Sequence, residues 1–565
     1  MVRKVMLLLA LGSVLLFFLA FFFLPIFEIL RGGFVDERGH VTLFYFAEFC
    51  RNPLYMEGLC NTFAIAVCTT LLALLAALPL AWLADRFDFP GKRWLTGALL
   101  LPLILPPFVG ALGMQRVFGQ FGSLNSLLAW LGFIRPAEAI DWLGTGGFMG
   151  VVLVEALHLY PILYLNAVAA LANVDPVLNE AAANLGCVGF RRFRRITLPL
   201  VMPGIFAGGA LVFIWSFTEL GTPLMFNYER VTPVQIFNGI KEIGDSPMPY
   251  VLVTVMLAAA GLLYLLARFT VGRKAYAMMS KAGTAVRQVR LSGMRGWGVT
   301  LFFLALIGIA VLPHLGVIGI SLAGAWYRTV LPSTLTLAHY QAALGHNLTV
   351  PSILNSVRYA AVATAVAMLF GVFVACVVVR TKLRGRWLID SMSMLPLAVP
   401  GLVLAFGYLA MTQKGRVLNF LDPIENPTVL LIVAYAVRRL PYVVRAAVAG
   451  LQQTSVSFEE AAMNLGAGPW RTFRRITAPL ISANLIAGGL LAFSFSMLEV
   501  SDSLILAQKS VYFPITKSIY ELSMLLGQGQ ALAAALGVWT MVFLGAALLI
   551  TSFLLGKRLG ALFRV

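Results

Sequence analysis

Long apolar runs constrain this chain more than any other feature of its sequence. The run from Leu7 to Phe27 carries no charged residue over 21 positions. About 20 apolar residues are enough for a helix to cross the hydrocarbon core of a bilayer. Further runs lie near 60–84, 95–115, 147–172, 202–226, 249–267, 297–321, 354–379, 388–411, 427–450, 481–506 and 531–556. The sequence therefore predicts an all-α integral membrane protein of about twelve helices.

Composition excludes several other classes. Only 12% of the residues are charged and mean hydropathy is +0.88, whereas an ordinary soluble domain carries about 25% charged residues. The first apolar run is too long for a signal peptide and lacks a small-x-small cleavage site, so it is expected to be a helix. The five cysteines form no CxxC pair, which argues against a disulfide framework or zinc site.

No catalytic signature is present. The sequence contains neither HExxH nor the phosphate-binding pattern GxxxxGK[ST]. The chain is therefore not expected to be an enzyme or to hold a cofactor, and any ATP and Mg²⁺ would be bound by partner subunits.

The net charge of +18 has a topological explanation. With the N-terminus placed inside, the inner segments hold 26 lysines and arginines and the outer segments hold 11. This asymmetry follows the positive-inside rule and predicts that both termini are cytoplasmic. No nucleic-acid partner is needed to explain the basic charge.

The chain repeats itself. Glu180–Phe213 and Glu460–Phe493 are identical at 19 of 34 positions with a constant offset of 280. Upstream the offset is 294, and Asn61-Thr62 matches Asn355-Ser356. About fourteen extra residues in the first half lie in an outer loop near 119–146.

The repeat predicts two homologous membrane domains in one chain. Residues 1–270 and 297–565 are the expected domains, and 271–296 is a basic cytoplasmic linker. Each half has six spans, so both share one orientation and are related by a pseudo-twofold axis along the membrane normal.

The repeated segment begins inside the cell, between the fourth and fifth spans of each half. Asp175-Pro176 and Ser457 supply helix-start chemistry, and Gly186 and Gly466 are expected to end each helix in the left-handed conformation. Arginines follow both glycines. The conspicuous residues are Glu180, Ala181, Ala182, Gly186, Arg194 and Arg195, with Glu460, Ala461, Ala462, Gly466, Arg474 and Arg475.

Both copies resemble the EAA motif of binding-protein-dependent ABC importer permeases, EAA-x3-G-x9-I-x-L-P. The first copy matches every position, whereas Ala478 replaces the leucine in the second. The resemblance implies that each loop forms a coupling helix docked on a cytoplasmic ATPase. It also implies two ATPase subunits, and a periplasmic or lipid-tethered substrate-binding protein landing on outer loops such as 27–58 and 119–146. The location is then the bacterial cytoplasmic (inner) membrane.

Within that family the chain resembles the ferric-iron type. The resemblance rests on two fused six-helix units, on Tyr160-Pro161 and Leu440-Pro441, and on the stretch RRLPYVVRA at Arg438–Ala446. Related permeases serve thiamine, polyamines, phosphonates, sulfate and sugar phosphates. An ion-coupled secondary transporter is the alternative from another class, but it does not require the duplicated EAA loop.

Charged residues in membrane runs are costly and are candidates for the translocation path. The fifth spans end in related segments that hold Ser216 and Glu219 in one half and Ser496, Glu499 and Asp502 in the other. If these acids face inward, their oxygens suit passage of a hard cation such as iron(III). Alternatively, each acid caps or pairs locally, for example with Arg438 or Arg439.

Other polar or helix-breaking residues in the runs have structural interpretations. Pro102, Pro106, Pro107, Pro396 and Pro400 break the third spans, either as gating bends or as static kinks. Glu155, His158 and Asp390 also lie in or near membrane runs, and His158 is expected to be a hydrogen-bonded packing residue rather than a metal ligand.

Overall fold

The computed structural model describes residues 11–35, 39–144, 147–172, 174–243, 246–271 and 288–555. Each of the twelve predicted runs forms a helix or a bent helix pair. Among the described residues, seven helices are long and apolar enough to cross a membrane, or ten if each bent pair is one span. The two remaining runs are helical but fall short of that test, and one of them carries three arginines within it.

The main helices are labelled in chain order. They are α1 (Leu11–Phe34), α2 (Pro53–Arg86), α3 (Lys92–Ile104 with Pro107–Trp130), α4 (Phe148–Ala172), α5 (Gly189–Phe217), α6 (Met248–Val271), α7 (Gly293–Leu322), α8 (Thr349–Arg380), α9 (Arg386–Leu397 with Gly401–Met411), α10 (Thr428–Gln453), α11 (Pro469–Leu480 with Ser482–Met497) and α12 (Gly529–Leu555).

Short elements connect these spans. The shorter helices are Phe44–Arg51, Pro136–Glu138, Pro176–Asn184, Gly221–Met225, Thr232–Gly239, Ile240–Glu242, Ala338–Gly345, Asn419–Leu421, Ser457–Asn464, Ser501–Leu506, Ser510–Tyr512 and Ile515–Ser523. The described strands are β1 (Phe87–Asp88), parallel to β2 (Val289–Arg290), and β3 (Ala323–Ala325), antiparallel to β4 (Thr334–Leu335). The first ladder ties the end of the predicted linker to the inner end of α2. Most of that linker, residues 272–287, lies outside the described residues.

Prolines bend α3 and α9 as predicted. Each span consists of two helical segments that meet at an angle of 98°. Pro106 and Pro400 are extended, with ψ angles of 137° and 141°. Each is followed directly by a new helix, because proline has no N–H for an α-helical hydrogen bond but suits a helix start.

The two halves exchange their first helices. The first helix of the second half, α7, packs on α3 of the first half. The first helix of the first half, α1, packs on α9 of the second half. Glycines permit both contacts. A Cβ at Gly113 would lie 2.0 Å from the Pro313 carbonyl oxygen, and a Cβ at Gly407 would lie 2.7 Å from the Pro25 Cβ. Small residues let helix backbones approach closely in this way.

The pseudo-twofold axis passes between the ends of the fifth spans. Trp215 contacts its own counterpart, Phe495, with ring centroids 6.2 Å apart in an edge-to-face arrangement. A Cβ at Gly221 would lie 2.9 Å from a methyl group of Val500, the counterpart of Leu220. Contact between equivalent positions is what a twofold interface requires.

The repeated Asn-Thr/Ser pair has a structural reason. Asn61 Nδ2 donates to the Arg230 carbonyl at 2.9 Å, and the Thr62 hydroxyl oxygen accepts from the Thr232 N–H at 2.9 Å. Asn355 and Ser356 do the same for Val511 and Ile515, at 2.8 and 2.7 Å. In both halves these side chains fasten the outer loop after the fifth span to the start of the second.

Candidate functional site

The first copy of the repeated loop is a short capped helix, Pro176–Asn184. The Asp175 carboxylate accepts from the Val177 N–H at 2.9 Å, which satisfies one of the free N–H groups at the helix start. In the second loop the helix begins at Ser457, as predicted. The Ser457 N–H donates to the hydroxyl of Ser455 at 3.3 Å, so the hydroxyl at the start of this helix is supplied by Ser455 rather than by Ser457.

Both loop helices end in the same way. Gly186 and Gly466 have φ angles of +72° and +84°, as the sequence predicts. The Cys187 N–H donates to the Ala182 carbonyl at 2.8 Å, and the Ala467 N–H donates to the Ala462 carbonyl at 3.0 Å. These six-to-one bonds are those of a Schellman motif.

The loops present apolar side chains to the outside of the molecule. Leu185 and Leu465, which precede the two glycines, are 86% and 89% exposed. Phe190 and its counterpart Trp470 are 76% and 70% exposed. Equivalent apolar residues are therefore exposed at the same place in both halves.

The predicted loop residues divide by exposure. Ala182 is buried and Ala462 is half-buried, and the loop helices pack against the turns that follow them. The Glu180 side chain lies outside the described part of the structure. The exposed members are Ala181, Gly186, Arg194, Arg195, Glu460, Ala461, Gly466, Arg474 and Arg475.

Glu459 is a loop residue that sequence reasoning missed. Its carboxylate accepts from Arg380 Nε at 3.0 Å and from the Thr477 hydroxyl at 3.2 Å. Arg380 Nη2 also donates to the Thr454 carbonyl at 3.0 Å. These contacts join the second loop to the inner end of α8. A signal was present in the sequence, because Arg380 corresponds to Arg86 at the offset of 294.

A second shared feature lies after each loop helix. Phe193–Thr197 and Phe473–Thr477 have the same sequence, FRRIT, and both form a π-helical turn. Such turns widen the helix locally and occur frequently at functional sites.

In the second half, the predicted path acids pair with arginines. Glu499 forms ion pairs with both Arg438 and Arg439, and Asp502 lies 3.3 Å from Arg438 Nη1. Arg439 Nη2 also donates to the Phe495 carbonyl at 3.0 Å. Local pairing, one of the two alternatives left open by the sequence, therefore describes this half. The hydroxyl of Ser496 donates to the Ala492 carbonyl at 2.7 Å and touches neither acid.

The first half has a different arrangement. The Ser216 hydroxyl donates to the carboxylate of Glu155 on α4. Glu219 accepts from the N–H and hydroxyl of Thr222 at 3.3 and 3.4 Å. Glu219 and Glu499 are near enough to interact electrostatically. The structure thus brings the symmetry-related acids toward the axis, but it surrounds them differently.

The remaining candidates are packing or surface residues. His158 Nδ1 lies 2.8 Å from the Pro102 carbonyl oxygen, as expected for a hydrogen-bonded histidine. Asp390 is 3.6 Å from Arg445 in a partly exposed ion pair. Within the described ranges, no group of three or more His, Cys, Asp or Glu side chains is arranged to hold a metal ion.

Comparison with known proteins gives a consistent family. The profile of the family described as "Binding-protein-dependent transport system inner membrane component" matches residues 70–275 and again 367–559.

Similar proteins match over most of the chain. A ferric transport system permease protein of Actinobacillus pleuropneumoniae is 27% identical over 81% of this chain, which spans 64% of that protein. An Fe(3+)-transport system permease protein of Haemophilus influenzae is 24% identical over 82% of this chain and 84% of its own length. The molybdenum transport system permease protein of Escherichia coli is 38% identical over 27% of this chain and 66% of its own.

A solved structure also matches part of the chain. It is a bacterial alginate ABC transporter in complex with an alginate pentasaccharide-bound periplasmic protein. The match has 16% identity, covers 49% of this chain and 97% of that one, and has a TM-score of 0.40.

Proposed function

This chain belongs to the family of binding-protein-dependent transport system inner membrane components, and we propose that it is the fused permease subunit of an ATP-driven iron(III) importer. The family match occurs twice in one chain, so the chain supplies both halves of the membrane pathway. It is a transport component of the inner membrane and takes substrate from a binding protein.

The iron(III) cargo is supported by similarity and by chemistry. Two relatives that match over 81% and 82% of the chain are named as ferric permeases, whereas the molybdenum permease matches only 27% of it. Carboxylate and hydroxyl oxygens near the axis are the ligands that hard cations prefer. Thiamine, polyamines, phosphonates, sulfate and sugar phosphates are the alternative cargoes within the same importer class.

The ATPase subunits are proposed to dock on the two cytoplasmic loops. The single observation that carries this step is the matched pair of exposed apolar side chains, Leu185 and Leu465, beside identical helix ends. Their burial in a partner's groove would remove apolar surface from water at about 25 cal/mol per Å². ATP and Mg²⁺ then belong to the partner, and both termini of this chain lie on the cytoplasmic side.

Co-purification with the cognate ATPase tests the docking site. We expect wild type to retain the ATPase, and the doubly substituted Leu185→Asp/Leu465→Asp chain to lose it. The pair Glu180→Lys/Glu460→Lys is expected to act in the same direction. The matched control is Val417→Asp/Leu526→Asp, which also replaces two exposed apolar side chains with aspartate, but in outer loops. Retention of the ATPase by the Leu185→Asp/Leu465→Asp chain would rule out the proposed docking surface.

A further inference from the structure

The two halves differ in the charged residues near the ends of their fifth spans. With the offset of 280, Arg438 and Arg439 correspond to His158 and Leu159, and Asp502 corresponds to Thr222. Glu155 takes the place of Tyr435. The second half therefore combines two acids with two arginines, whereas the first half combines two acids with no arginine.

The two acids of the first half are Glu155 and Glu219, and Glu155 is the more deeply buried of them. It is 1% exposed, and only its Oε2 atom accepts a hydrogen bond, from Ser216. Its Oε1 atom is buried without a hydrogen-bond partner. The fully buried hydroxyl of Thr69 on α2 faces this carboxylate, and it likewise has no partner of hydrogen-bonding geometry. The Oε1 atom is thus buried beside a hydroxyl, and no described cation accompanies it.

Glu219, the second acid of the first half, is more exposed than Glu155. It lies one turn beyond Ser216 and is partly exposed, although Phe217, Leu220 and Thr222 around it are buried. The charges of Glu155 and Glu219 repel each other. Glu219 interacts electrostatically with Glu155 on one side and with Glu499 of the second half on the other, so it lies between the buried acid and the pseudo-twofold axis.

The free energy of an ionised Glu155 would be lowered by a counterion. A buried ionised carboxylate without a partner is costly, and proteins avoid that cost by pairing, by metal coordination or by protonation. In the second half, arginines fulfil this need for Glu499 and Asp502. No described cation pairs with Glu155 or Glu219.

We propose that Glu155 and Glu219, with the hydroxyls of Ser216 and Thr69, form a weak binding site for a hard cation in the first half alone. The donor set is oxygen only, which selects hard cations over thiolate-preferring ones. This role rests on the proposed function, under which the site binds iron(III) transiently while the ion crosses the membrane. Two carboxylates rather than three or more keep binding weak, so the cargo can leave.

Binding of terbium(III), a luminescent hard trivalent cation, tests the site without ATPase, binding protein or uptake. The full chain in lipid nanodiscs is titrated, and sensitised emission reports ions near aromatic side chains such as Trp215. We expect saturable binding by wild type. Glu155→Gln and Glu219→Gln should each weaken it by at least about ten-fold, since each removes a ligand. Both are expected to fold, because neither leaves a buried charge without its partner.

Ser216→Ala and Ser496→Ala provide a matched pair across the axis. Only Ser216 contacts a carboxylate, so only Ser216→Ala is expected to weaken terbium binding. Absence of saturable binding, or equal binding by wild type and the two glutamine variants, would overturn the proposal and leave a pair of protonated carboxyls. Glutamate-dependent binding without iron(III) uptake would retain the site and reject the iron cargo.

Discussion

At the residue scale, buried arginines determine what the path acids can do. Arg439 and Glu499 have side chains only 9% and 6% exposed. Removal of Glu499 would leave Arg439 charged without its carboxylate partner, and removal of Arg439 would leave Glu499 with Arg438 alone, in a region of low dielectric. This ion pair is therefore interpreted as a fixed structural element of the second half, and the unpaired acids of the first half as the chemically available ones.

Replacement of one arginine tests that interpretation. Arg439→Met should destabilise the protein by about 3–5 kcal/mol, because it leaves Glu499 with one fewer buried partner. Arg445→Met, on the same helix, removes a half-exposed arginine at 3.6 Å from Asp390, and should cost less than about 1 kcal/mol. Thermal unfolding of the purified variants measures the difference. Equal midpoints for the two variants would contradict the assigned role of Arg439.

The sequence predicted part of this site. Pairing of Glu499 with Arg438 or Arg439 was one of two alternatives, since charges in a membrane run need partners. The contact of Ser216 with Glu155 was not predicted, because the two residues lie 61 positions apart on different helices. Helical periodicity says which residues share a face, but not which face another helix covers.

At the scale of elements, helix ends were more predictable than helix partners. Gly186 and Gly466 end their helices in the left-handed conformation because this conformation is accessible to glycine at little steric cost. Proline explains the bends of α3 and α9 equally well. The exchange of α1 and α7 between halves was not predicted, since lipid-facing and protein-facing apolar surfaces have similar compositions.

Substitution at Gly466 isolates the helix-end effect. A Cβ there meets nothing within 4 Å, so Gly466→Ala adds only the strain of a positive φ, about 1–2 kcal/mol. Hydrogen exchange at the Ala467 amide should then be roughly ten-fold faster. Gly468→Ala is the control, because Gly468 has open space and a φ of −67°. Similar exchange in both variants would show that the Schellman motif does not hold this loop.

Substitution at Gly113 tests the interlocking of the halves. A Cβ would lie 2.0 Å from the Pro313 carbonyl oxygen, and backbone on both sides cannot yield easily. Gly113→Ala should lower stability by about 1–3 kcal/mol, as overpacking does. Gly97→Ala in the inner segment of α3 meets nothing within 4 Å and should be neutral or slightly stabilising. Thermal unfolding of both variants decides, and a neutral Gly113→Ala would refute the close contact.

At the scale of the whole molecule, the internal repeat carried the most information. An even number of spans per half predicted parallel halves, and contact of Trp215 with its counterpart Phe495 shows where their axis lies. The repeat did not reveal how the halves differ. That difference rests on a few substitutions, such as Glu155 for tyrosine and His158 for arginine, whose meaning appears only with the neighbouring helices in place.

The most direct test of the account is uptake of iron(III) into proteoliposomes that contain this chain, its ATPase and the binding protein. We predict accumulation that requires ATP inside the compartment corresponding to the cytoplasm, and the iron-loaded binding protein on the other side. The Leu185→Asp/Leu465→Asp chain should give none. Accumulation driven by an ion gradient, without ATP or ATPase, would contradict the importer assignment and favour a secondary transporter.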